Sequence, residues 1–119
     1  MKDFRKLNVW EKAHKLTLEI YKQTTFFPKE ELFGLISQIR RASISIPSNI
    51  AEGCGRGSNL ELARFCQIAM GSASELEYQI LLAKDLNYFQ EPIYKSINDN
   101  LIEIKKMLAS LIKKLKTDK

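Results

Sequence analysis

Residues 38–56 read Gln38-Ile39-Arg40-Arg41-Ala42-Ser43-Ile44-Ser45-Ile46-Pro47-Ser48-Asn49-Ile50-Ala51-Glu52-Gly53-Cys54-Gly55-Arg56. With Leu35 and Ile36 just upstream, Ile39, Ala42, Ile46 and Ile50 recur at helical spacing and form one apolar face. Pro47 falls inside that helix, where it leaves the Ser43 carbonyl without its amide partner and bends the axis. Ser43, Ser48 or a neighbouring side chain is expected to take the freed group. Gly53, Gly55 and Gly57 then supply the permissive backbone of a helix end and reversal. Ser58 followed by Glu61 is a capping box, so a new helix starts at Asn59.

Two long helices joined by so short a turn pack antiparallel. With the turn centred near Ser58, residues whose numbers add to about 116 lie at equal height. That rule pairs Arg41 with Glu75, Ser45 with Gly71, Asn49 with Gln67, and Glu52 with Arg64. It predicts a polar seam between the helices, with Gly71 admitting a close approach. Matched charges of this kind fix register, and losing one partner strands the other. A catalytic use of Glu52 with Glu75 is the weaker alternative, since no base, nucleophile or metal ligand accompanies them.

The rest of the chain is helical too. Asn8 with Glu11 reads as a capping box opening a first helix, buried along Val9, Ala13, Leu16 and Ile20. Pro28 suits the first position of the second helix, with Glu30 and Glu31 at its positive end. The third helix buries Leu62, Phe65, Cys66, Ala69, Ala73, Leu76, Ile80 and Ala83. It carries further apolar residues at Ile68, Tyr78, Leu81 and Leu82, so it is either central or covered by another subunit. Asn87 reads as its stop. Ile97, Leu101, Ile104, Leu108, Leu111 and Leu115 give a fourth helix a heptad seam, and Pro92 suits its first turn. The expectation is one all-α domain, an antiparallel up-down-up-down four-helix bundle, with helices over approximately 8–25, 29–54, 59–86 and 92–116.

Composition bounds the function. The 119 residues are 45% apolar and 28% charged, as in soluble globular proteins. No apolar run approaches the ~18 residues of a membrane span. The start of the chain lacks the apolar core of a signal peptide, so a cytoplasmic location is expected. Cys54 and Cys66 are read as free thiols, Cys66 in the core, and a disulfide across the turn as the lesser possibility. His14 is the single histidine. No metal, cofactor or catalytic set is expected, and the protein is not read as an enzyme.

Several stretches resemble the four-helix-bundle proteins encoded in intervening sequences of bacterial 23S ribosomal RNA genes. They include Phe4-Arg5-Lys6-Leu7-Asn8-Val9-Trp10-Glu11-Lys12-Ala13 and Phe27-Pro28-Lys29-Glu30-Glu31. The most specific is Ser45-Ile46-Pro47-Ser48-Asn49-Ile50-Ala51-Glu52-Gly53-Cys54-Gly55-Arg56, and Arg64-Phe65, Ala69-Met70-Gly71-Ser72 and Glu75-Leu76-Glu77 continue it. Accessory proteins of diversity-generating retroelements, which work with a reverse transcriptase and nucleic acid, are similar. The resemblance implies a closed homopentamer and brings no catalytic residues with it. Self-association would bury part of a surplus of apolar positions, Trp10, Phe33, Ile44, Ile68, Leu82, Ile102 and Ile112.

Two functions are compatible with a net charge of +5 and a pI near 9.2. The first is an oligomer binding RNA or DNA by backbone charge and shape, through Arg40, Arg56, Lys105, Lys106, Lys113 and Lys114, with Lys12 and Lys15 as weaker contacts. No helix-turn-helix, zinc finger or aromatic stacking platform is visible. The second is an oligomeric scaffold for a protein partner, with Phe26-Phe27 and Tyr88-Phe89 as its contact unless they tuck under the bundle.

Overall fold

The computed structural model describes residues 2–117. Its helices are α1 (Asn8–Thr24), α2 (Leu35–Gly55), α3 (Asn59–Asp85) and α4 (Glu91–Thr117), with 3₁₀ turns at Phe4–Lys6 and Lys29–Glu31. Among the described residues α1 packs on α2 and α4, and α3 packs on α2 and α4, while the diagonal pairs stay apart. The chain therefore runs up, down, up and down around one core, 47 × 23 × 20 Å overall. No described helix is long and apolar enough to cross a membrane.

The apolar stripes fill that core. Ile39, Ala42, Ile46 and Ile50 of α2 share one buried cluster with Leu62, Cys66, Ala69, Ala73, Leu76 and Ile80 of α3 and with Leu101, Ile104 and Leu108 of α4. Gly53 lets α2 and α3 come close: a Cβ there would sit 2.8 Å from Phe65 Cβ and 2.9 Å from Leu62 Cδ1. Gly57, at φ 89°, then turns the chain. Ser58 Oγ accepts from the Glu61 amide at 3.1 Å, but the Glu61 carboxylate turns to Arg64, so only half of the capping box forms. Asn87, at φ 65°, stops α3: its amide donates to Lys84 O, and that of Tyr88 donates to Ala83 O. Those two bonds satisfy carbonyls that a bare helix end leaves open.

Two local expectations are corrected, and a third is met by a particular neighbour. Leu7 is the N-cap of α1 and no side chain caps it, so Asn8 and Glu11 form no capping box. Pro28 opens the 3₁₀ turn, and α2 starts only at Leu35. The reason is Glu31, whose carboxylate accepts the Leu35 amide at 3.1 Å and caps α2 from outside the helix. Finally, the Ser43 carbonyl freed by Pro47 is taken from another helix. Thr17 Oγ1 of α1 donates to it at 3.1 Å while also lying 3.0 Å from Ala13 O, one proton shared between two acceptors.

At the other end of the bundle Phe27 and Phe89 are buried, with ring centroids 5.0 Å apart, and Tyr88 donates to Glu31 at 2.8 Å. These aromatics tuck under the bundle. Phe26 stays out, 75% exposed.

Candidate nucleic-acid interface

The α2–α3 register is right to within one residue, yet most of the expected seam is absent. Ser45 Oγ lies 2.8 Å from Ser72 Oγ, beside Gly71, and the Asn49 amide donates back to Ser45 O at 2.8 Å without reaching Gln67. Arg41 and Glu75 are both exposed and form no ion pair with each other. Glu52 accepts from Arg56 at 2.7 Å, and Arg64 donates to Glu61 at 3.1 Å. A Cβ on Gly71 would meet nothing within 4 Å, so no close approach requires that glycine. Equal height sets axial level only. Arg41, Glu52, Arg64, Gln67, Gly71 and Glu75 lie on outward faces, where a partner one turn along the same helix is nearer than one across the groove. The hydrogen bond from Arg64, with its charge, holds the Glu61 carboxyl below its ordinary value.

Folding segregates the charges. The contacts Thr17 to Ser43, Ser45 to Ser72 and Lys105 to Glu77 mark mid-height on neighbouring helices. On one side of that level lie residues 2–16, 46–72 and 104–117, with twelve Lys and Arg against four Asp and Glu. On the other side, 17–45 and 73–103 hold six against nine. At the basic end all four carboxylates already have a cation. Asp3 pairs with Arg5, Glu11 with Lys15, Glu52 with Arg56 and Glu61 with Arg64, at 3.4, 3.9, 2.7 and 3.1 Å. Among the described residues the cations there outnumber the acids within reach, and Glu103, at the border of that end, is a further carboxylate beside Lys106.

The candidate contacts divide accordingly. Lys106, Lys113 and Lys114 are exposed at the basic end and make no ion pair among the described residues. Lys106 and Lys114, with Glu103 beside them, flank a groove of about 470 Å³ over Leu7, Val9, Met107 and Leu111, next to the uncapped first turn of α1, whose dipole adds to the positive field. Lys105 is held by Glu77 at 2.6 Å. Arg56 is shared between Glu52 and the Phe65 ring. Arg40 sits at the acidic end and is committed: its Nε donates to Thr24 Oγ1 at 2.8 Å, and its guanidinium covers the Tyr21 ring. Lys15 pairs with Glu11, and Lys12 is half-buried.

One feature was missed in the sequence. Trp10 and His14 stack with centroids 5.0 Å apart and planes within 7°, and Phe4 meets Trp10 at 4.8 Å. The i, i+4 spacing of Trp10 and His14 was the available signal. Cys54 and Cys66 are free and buried, and burial pushes the Cys66 thiol up to about 11, which keeps it protonated and unreactive at neutral pH. Among the described residues no group of three or more His, Cys, Asp or Glu is placed to hold a metal.

Four antiparallel helices with a cationic end define a small all-α bundle protein with a polarised surface. The chain belongs to the 23S rRNA-intervening sequence protein family, whose model matches residues 5–110. It is also similar to a crystal structure, at 1.70 Å, of a protein with unknown function from the S23 ribosomal protein family of Bacteroides thetaiotaomicron VPI-5482. The two are 32% identical, with 88% of this chain and 95% of that one covered and a TM-score of 0.81. No curated protein matches.

Proposed function

We propose that the protein is a non-catalytic, self-associating bundle that binds RNA or DNA through its basic end. The observation that carries this is the excess of cations at that end: Asp3, Glu11, Glu52 and Glu61 each have a cation, while Lys106, Lys113, Lys114 and Lys116 make no ion pair among the described residues. Exposed lysines in a field of net positive charge suit phosphates, and backbone contacts of this kind bring affinity without sequence readout. A cytoplasmic site of action goes with that ligand.

Self-association is supported by two separate exposed apolar faces. One lies where α1 gives way to α2, at Tyr21, Leu32 and Phe33, and the other lies on α3 at Leu60, Ile68 and Tyr78. Two unlike faces on one chain favour a head-to-tail contact, which closes into a ring when the rotation allows. The family resemblance suggests five copies. Parallel copies would gather their basic ends on one rim and strengthen the field.

A salt titration of binding to RNA and to duplex DNA tests the proposal. Affinity should fall steeply with salt, and Lys113→Glu with Lys114→Glu should weaken it. No binding at low salt would remove nucleic acid as the ligand. It would leave the second reading, a scaffold for a protein partner, which is favoured by Phe33 at 94% exposure and Phe26 at 75%. Light scattering checks assembly: a monomer at micromolar concentration refutes it.

A further inference from the structure

Trp10 is the only tryptophan in the chain, and it lies at the basic end in a series of planar groups. His14 stacks flat on it, Phe4 packs against it, and the Arg5 guanidinium lies 4.5 Å from the centre of the Phe4 ring. Together with Leu18, Ile44 and Ser48, these rings line a groove of about 340 Å³ between α1 and the last turns of α2. Trp10 is half-buried and His14 exposed, so the groove is open among the described residues.

The surrounding charge narrows what would cover it. Asp3 and Glu11, the carboxylates nearest in sequence to the stack, are neutralised by Arg5 and Lys15, and Lys6 is exposed beside them. A neutral apolar segment would gain nothing from that field. A polyanion carrying planar rings would gain twice, through its phosphates and through its bases. Bases inside a duplex present no free face, so the fit is to a single strand. No carboxylate or amide of the groove is placed to read a base edge, which makes the contact tolerant of sequence, because every base has a face to stack. We propose, resting on nucleic-acid binding by the basic end, that the Trp10–His14 groove is a base-stacking platform for single-stranded nucleic acid.

The test uses the full chain, a short oligouridylate and an RNA duplex of the same length, at one salt concentration, with Trp10 emission as the readout. The single strand should bind more tightly than the duplex and quench Trp10. His14→Ala, at an exposed position, should weaken single-strand binding by about tenfold, the scale of one lost stacking contact, and leave the duplex unchanged. Lys113→Glu with Lys114→Glu should weaken both ligands. Equal binding of the two ligands with unchanged emission would overturn the platform and leave the basic end standing. Absence of binding to either at low salt would remove both claims. An emission change on concentrating the protein without nucleic acid would assign the groove to a second copy and overturn the platform.

Discussion

The two ends of the bundle are built from the same helices and handle charge in opposite ways. At the acidic end the buried Phe27 and Phe89 seal the core, and cations are used internally. Arg40 is bound by Thr24 and Tyr21, Lys84 lies near Glu91 and over Tyr94, and Lys95 pairs with Asp99. At the basic end the last turns of α4 bring Lys113, Lys114 and Lys116 beside a region whose four acids are already occupied. What separates a structural cation from an available one is therefore local stoichiometry: whether a carboxylate or carbonyl remains within reach. Net charge alone hides this, because the +5 of the chain combines a larger positive surplus at one end with a negative one at the other.

Charge reversal gives the largest expected effect and breaks the comparison if it fails. Changing Lys106, Lys113 and Lys114 together to Glu should lower RNA affinity by about a hundredfold or more, and flatten the duplex-DNA salt slope by roughly 3. Reversing Lys22 and Lys29 at the acidic end should move affinity by no more than about twofold. Filter binding or anisotropy across a salt series reads both. Comparable losses from the two variants would mean that the ends do not differ in function.

Glycines give the next contrast, now in stability. Gly53→Ala forces a methyl against Phe65 Cβ and the Leu62 backbone, neither of which can swing away, and should cost about 2–3 kcal/mol. Gly71→Ala, on the exposed middle of α3 with open space around it, should stabilise by up to ~1 kcal/mol. Chemical denaturation of the two variants measures the pair. A stabilising Gly53→Ala would show that α2 and α3 are further apart near their turn than described.

Smaller still is the contribution of Thr17. Thr17→Val keeps the shape but leaves the carbonyl that Pro47 orphans without a donor, at a cost of about 1–2 kcal/mol. The same substitution in a Pro47→Ala background should cost less, because alanine, unlike proline, has an amide that restores the helical bond to Ser43. Equal costs in both backgrounds would detach Thr17 from the proline.

The sequence revealed those features that depend on position along a helix. The stripes of α2, α3 and α4, the Ser58 cap and the Asn87 stop all follow from spacing and backbone preference, and so does the level at which Ser45 meets α3. It could not reveal direction around a helix at a pair of facing residues, which is why Arg41 with Glu75 and Glu52 with Arg64 matched in height and not in contact. Nor could it show that Glu31, at the end of the 3₁₀ turn, would cap α2, since that depends on a side chain reaching over three residues of irregular chain. The basic end lay in between. No single segment carries it, and it emerges only when the second half of α4 is laid beside the start of α1 and the α2–α3 turn.

The smallest expected effect bears on that limit. Arg41 has no described partner, and Glu75 is engaged only by Gln79 of its own helix, at 3.3 Å. Each alanine variant should therefore shift stability by less than about 0.5 kcal/mol, as at an ordinary exposed site. A double-mutant cycle should return a coupling near zero. Lys113→Ala should be as mild for folding, so Arg41 and Lys113 should differ only in RNA affinity. A measured coupling above ~1 kcal/mol between Arg41 and Glu75 in the assembled protein would place the two charges opposite each other across a contact between copies, since within one copy they do not meet.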